Sequence, residues 1–148
     1  MAGKFTGLQK TYQIGDADGI ALYTGVTYGA EDGYVVKPTA ENAVFVGVVD
    51  NDERINDPIR AGGDQTGRNI AVHVDGYGEI RIADIVEYGD KLILGIGGVA
   101  KAMPDEPGTY NVIGFAEKSG VAGDVIPFKI AVMTVTITNP NPPEPLIS

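Results

Sequence analysis

A chain of 148 residues is about the length of one ordinary domain and is long enough to bury a core. Its 20 acidic against 11 basic residues give a formal net charge of −9, a field that repels phosphate backbones, and no Lys/Arg cluster reverses it locally, so nucleic acid is not expected as a partner. Cysteine is absent, which removes disulfides, thiolate nucleophiles and thiolate metal sites, and no apolar run approaches the roughly 20 residues of a membrane span.

The first residues, MAGKFTGLQKTYQ, lack the apolar segment of a secretory signal, and the chain reads as soluble and made inside a cell. Residues 1–14 are expected to form an arm. It carries Phe5, Leu8, Tyr12 and Ile14, apolar side chains suited to contact a partner. Short β-branched or aromatic runs follow at Ile20–Tyr28, Tyr34–Lys37 and Val44–Val49, each bounded by Gly, Pro, Asp or Asn. A long polar stretch, Asp50–Gly67, includes NDERINDPIRA, where Pro58 limits any helix. Between Asn69 and Ala83, residues Ile70, Val72 and Val74 alternate with Ala71, His73 and Asp75 before Gly76-Tyr77-Gly78 and a second alternating run. That pattern predicts a hairpin, with His73 on the face that looks to solvent or to an interface. IADIVEY (Ile82–Tyr88) places Ile82, Ile85 and Val86 on one side of one or two helical turns. Strand patterns resume at Lys91–Leu94, Val99–Met103, Tyr110–Ala116 and Val125–Thr138. Residues 139–148, with Pro140, Pro142, Pro143 and Pro145, are expected to be an extended polyproline-like tail carrying Leu146 and Ile147.

A period of two along most of the chain predicts an all-β protein. The expected form is a single small β-sandwich or barrel-like (β-tulip-like) domain over residues 15–138, with at most one or two short helices and extended termini. An internal echo runs through it. DGYVVKPTAENAVFVGVVD and GGVAKAMPDEPGTYNVIGFAE both read strand, proline, polar loop, strand, then an aliphatic–Gly–apolar triplet, which points to two similar β-units over about 20–50 and 90–117.

Candidate chemistry fails step by step. Leu92-Ile93-Leu94-Gly95-Ile96-Gly97-Gly98 looks at first like a dinucleotide-binding turn, but Pro104 follows too soon for the helix whose N-terminus would hold the pyrophosphate. His73 has no cysteine partner for zinc, and the two serines, Ser119 and Ser148, do not make a nucleophile–base pattern with it. Asp16–Gly19 and Asp50–Asp57 are rich in carboxylates but lack the glycine and glutamate spacing of an EF-hand loop. Seven tyrosines and no tryptophan leave a sugar-stacking face as a minor alternative. No catalytic residue, cofactor or metal ligand is assigned, and the chain is not expected to be an enzyme.

From Ala71 to Ile130 the sequence resembles the head decoration, or capsid cement, proteins of tailed bacteriophages. The similarity is carried by Gly89-Asp90-Lys91 opening a strand, Gly98-Val99 starting its partner, Ile113-Gly114-Phe115, and Gly123-Asp124 before the closing strand. The resemblance implies a small β-rich virion protein that binds the major capsid protein on the outer surface of the mature head and stabilises the shell, commonly as a homotrimer. It implies no membrane partner. Phe5, Leu8, Tyr12, Ile14, Leu146 and Ile147 are the expected contacts to capsid or neighbouring subunits. The same composition is open to other virion roles, in a tail, baseplate or fibre, and to a carbohydrate-binding β-sandwich.

Overall fold

The computed structural model describes residues 7–55 and 63–138. β1 (Gln9–Ile14), β2 (Thr24–Tyr28), β3 (Tyr34–Val36), β4 (Gly47–Val49) and β5 (Asn69–His73) form a closed barrel in the order β1-β3-β2-β4-β5, with β5 returning to β1. β6 (Tyr77–Arg81), β7 (Lys91–Leu94), β8 (Ala100–Ala102), β9 (Gly108–Ala116) and β10 (Val125–Ile137) form a sheet in the order β6-β10-β9-β7-β8. The protein is all-β, with a 3₁₀ turn at Ile96–Gly98.

These two sets of strands share one topology. In each, the second strand is central and pairs antiparallel with the third and fourth: β2 with β3 and β4, β7 with β8 and β9. In each, the fifth strand pairs antiparallel with the fourth and the first. The parallel pair Ile14–Val35 that closes the barrel has its counterpart in the parallel bridge Ile82–Ala100, and the bridge Ile20–Arg54 has its counterpart in Val86–Gly120. Matching positions are buried alike: Ile14 with Ile82, and Ile20 with Val86.

The sequence echo over 20–50 and 90–117 is the middle of this repeat. Its two glycines, Gly47 on β4 and Gly114 on β9, do the same work. A Cβ at Gly47 would overlap the carbonyl oxygen of His73 on β5, and one at Gly114 would overlap that of Lys129 on β10. Each glycine therefore lets the fifth strand of its unit come close. The outer strands of the repeat share no such signature, which is why the similarity in sequence stops short of the full units.

Alternation supplies two cores. Ile14, Val26, Val35, Val49, Ile70 and Val72 fill the barrel. Ile80, Leu92, Leu94, Ile113, Ile126 and Phe128 form the second core, which Phe45 and Val48 of the first unit also enter. The Phe45 and Phe128 rings meet edge to face at 6.1 Å, an arrangement that aromatic quadrupoles favour. The two units are thus joined by shared apolar packing.

Four expectations change. Residues 69–83 are not a hairpin: β5 pairs with β1 and β4, β6 pairs with β10, and Gly76, at a φ of 85°, turns the chain from one unit into the next. Periodicity locates strands but does not say which strands pair. Second, Gln9–Ile14 is not part of a free arm but the first barrel strand. Third, Ile82–Tyr88 is not helical: the chain bends at Ala83 and Asp84 between two bridging residues, Val86 exchanging both main-chain bonds with Gly120 (3.0 and 2.9 Å) and Ile82 donating to the carbonyl of Asp124. Tertiary pairing overrides weak helical spacing. Fourth, His73 is buried, at 2% exposure, because the outer wall of the barrel faces β6 at that point rather than water.

Candidate functional site

The seam between the units holds the main polar cluster. Asp50, directly after β4, accepts a hydrogen bond from Nδ1 of His73 (3.1 Å) and one from the main-chain N–H of Glu79 (3.0 Å). Arg81 N–H donates to the carbonyl of Tyr23 at 3.0 Å. The barrel thereby supplies acceptors to the outer edge of β6, whose other edge pairs with β10. A cleft of about 380 Å³ opens beside the pair, lined among others by Gln9, Asn51, Tyr77 and Glu79. Through Asp50, the His73 side chain on β5 and the main chain of β6 at Glu79 are tied together across the seam.

The other carboxylates of Asp16–Gly19 and Asp50–Asp57 that are described bond to nearby groups of the chain. Asp16 accepts the Lys37 main-chain N–H at 2.7 Å, and Asp18 pairs with Lys37 Nζ at 2.9 Å. The hydrogen bond from Lys37 holds the Asp18 carboxyl below the ordinary aspartate range. Asp52 pairs with Arg54 at 2.8 Å, and Glu53 accepts the Leu22 N–H at 3.1 Å. Residues 56 and 57 of the second segment lie outside the described residues. Among the described residues, no group of three or more His, Cys, Asp or Glu is placed to hold a metal ion.

The glycine turn also finds its explanation in packing. Gly97 donates to the carbonyl of Pro38 (2.8 Å), and a Cβ at Gly98 would overlap Gly25 and Thr24 of β2. β8 follows, not a helix. For the sugar alternative, Tyr12, Tyr28 and Tyr34 line a depression of about 410 Å³ on the barrel, where Lys10 Nζ lies 5.1 Å from the Tyr12 ring centroid.

The three expected contact residues that are described, Leu8, Tyr12 and Ile14, do not form one surface. Leu8 is 60% exposed, with its N–H on Asp75 Oδ1 at 2.6 Å. Tyr12 is half-buried on the barrel wall, and Ile14 is wholly buried in the barrel core, where it is unable to meet a partner. Phe5, Leu146 and Ile147 lie outside the described residues. A different apolar surface is present. Ile85, Tyr88 and Val121, exposed by 67%, 71% and 57%, project from two segments that pair through Val86–Gly120 and through Tyr88 N–H to Ser119 Oγ (2.9 Å). Sequence reasoning missed it because a helical reading of Ile82–Tyr88 put Ile85 on the same side as Ile82 and Val86. With the chain bent at Ala83 and Asp84, only the bridging residues Ile82 and Val86 turn inward.

No protein-family model matches the sequence, and none of the curated proteins matches it. Among solved structures, the N base of the head fiber gp8.5 of bacteriophage phi29 is similar in fold, with a TM-score of 0.60 at 16% identity. The match covers 84% of this chain and 93% of that one, so both units of the repeat take part in the likeness.

Proposed function

We propose that this chain is a structural protein of a tailed-phage virion: a decoration, or cement, protein that binds the major capsid protein on the outer surface of the head and reinforces the shell. The observation that carries this reading is the fold likeness to a phage head-fiber base over 84% of the chain. The decoration-protein resemblance between Ala71 and Ile130 supports it independently, and it falls mostly on the second unit. In this reading Ile85, Tyr88 and Val121 face the capsid: an apolar patch on paired loops is a surface that soluble chains cover with a partner. The chain acts by binding rather than by catalysis, with no cofactor.

The test is co-sedimentation of purified protein with expanded, undecorated heads of the cognate phage. Saturable binding is expected, and absence of binding at saturating concentration would sink the proposal. Ile85→Ser/Tyr88→Ser/Val121→Ser is expected to weaken that binding by at least tenfold while leaving the thermal midpoint close to the parent's, since exposed positions contribute little to folding. A second reading, a fibre-associated base, is favoured by the identity of the similar structure. Microscopy of labelled particles separates the two: a cement protein is distributed over the shell, whereas a fibre base sits at the foot of each fibre.

A further inference from the structure

The loop pair that carries Ile85, Tyr88 and Val121 occurs twice in the chain. In the second unit the β6–β7 and β9–β10 loops are tied by Val86 and Gly120, which exchange both main-chain bonds, and by Tyr88 N–H to Ser119 Oγ. In the first unit the β1–β2 and β4–β5 loops are tied by Ile20 and Arg54, which also exchange both bonds at 3.1 Å, and by Leu22 N–H to Glu53 Oε2 at 3.1 Å. The correspondence continues in the flanking residues. Gly67 donates to the carbonyl of Ile14 as Gly123 donates to that of Ile82, both at 2.8 Å. Tyr23 and Gly89, which follow Leu22 and Tyr88, both take a positive φ, 68° and 88°. Leu22 therefore stands where Tyr88 stands, and Ile55 where Val121 stands. Leu22 is half-buried and Ile55 is 38% exposed.

Both loop pairs lie at one end of the seam. β6 ends at Arg81, whose main-chain N–H donates to the carbonyl of Tyr23, the residue that leads into β2. The guanidinium of the same Arg81 donates to the carbonyl of Gly123 in the β9–β10 loop at 2.9 Å. One residue thus holds the β1–β2 loop of the first unit beside the loops of the second. β1 runs toward this end and β10 runs away from it, so Gln9 and Ile137 stand at the far ends of their strands.

Area argues that whatever covers one loop pair also covers the other. Ile85, Tyr88 and Val121 together offer on the order of 400 Å², about half of the roughly 800 Å² that each partner gives to a stable interface. A partner seated on them must reach further, and across Arg81 the surface continues onto a loop pair of the same construction. Exposed acidic residues surround the apolar side chains on both sides, Glu53 and Asp18 in the first unit and Asp84 and Glu87 in the second. The matching surface is one with apolar hollows and a basic rim.

We infer that the capsid-binding face spans both units, with Leu22 and Ile55 of the first in contact with the capsid protein alongside Ile85, Tyr88 and Val121 of the second. The inference rests on the function proposed above and adds the half of the face that the second unit does not supply.

Hydroxyl-radical footprinting of the parent chain, free and bound to expanded, undecorated heads, is the test. Labelling of Leu22 and Ile55 is expected to fall at least threefold on binding, together with that of Tyr88 and Val121. Ile55→Ser, at an exposed position where folding is little affected, is expected to weaken co-sedimentation at least threefold with an unchanged circular dichroism spectrum. A parent that binds heads while Leu22 and Ile55 label as they do in the free chain overturns the inference and leaves the proposed function standing, as does parental affinity in Ile55→Ser. A parent that does not sediment with heads overturns both.

Discussion

Asp50→Ala puts the joint between the two units to the test. The carboxylate is 9% exposed and takes two hydrogen bonds, one from His73 and one from the β6 main chain at Glu79. Alanine offers neither acceptor. A buried donor left unpaired costs about 1–3 kcal/mol, and His73 makes a further contact that softens its share, so the expected loss is roughly 2–4 kcal/mol. For a chain near this length each kcal/mol lowers the melting temperature by about 3–4 °C, which places the variant about 10 °C below the parent. Urea unfolding is the assay, followed both by far-ultraviolet circular dichroism and by tyrosine fluorescence. Because Phe45 and Val48 sit in the second core, the units are expected to unfold together, with coincident transitions in parent and variant. A loss below about 0.5 kcal/mol, the scale of an ordinary surface change, would refute this tie. So would two separated transitions in the parent.

Two further outcomes follow from the same geometry. Gly47→Ala and Gly114→Ala are each expected to destabilise by about 1–3 kcal/mol or more in urea titration, because in both units the added methyl meets the backbone of the fifth strand; a neutral result at either would break the equivalence of the repeats. Lys37→Met removes the donor that holds Asp18 below its ordinary range. A carboxyl with a depressed folded pKa adds stability above its unfolded pKa and loses it as pH falls through the folded value. The parent's advantage over Lys37→Met, under about 1 kcal/mol for so exposed a pair, is therefore expected at neutral pH and should fade in acid. Melting curves from neutral pH down to the acid limit would show a constant difference if the pair contributes nothing.

Sequence alternation located most of the strands, because residues two apart share a face wherever one face is buried: Lys91–Leu94 is found as read, and Val125–Thr138 differs by a single residue. Pairing was not legible. The run from Asn69 to Ala83 looks like a hairpin, yet its two strands belong to different units, since partner choice depends on contacts far along the chain. Burial at the seam was equally hidden. His73 alternates away from Ile70 and Val72, and only the approach of β6 turns its face of the barrel into interior. The repeat showed itself only in the middle of each unit, in the shared order of strand, proline, polar loop and strand that ends on Gly47 and Gly114, where backbone crowding demands glycine. The exposed patch at Ile85, Tyr88 and Val121 left no signal, because it depends on a loop pairing between Val86 and Gly120 that no local pattern encodes.

The most direct measurement for the central proposal is the position of this chain on native virions, read by cryo-electron microscopy after labelling with a specific antibody fragment. The account predicts label repeated over the outer surface of the head and none on the tail. Label confined to the tail or baseplate, or particles that carry none of the protein, would contradict it.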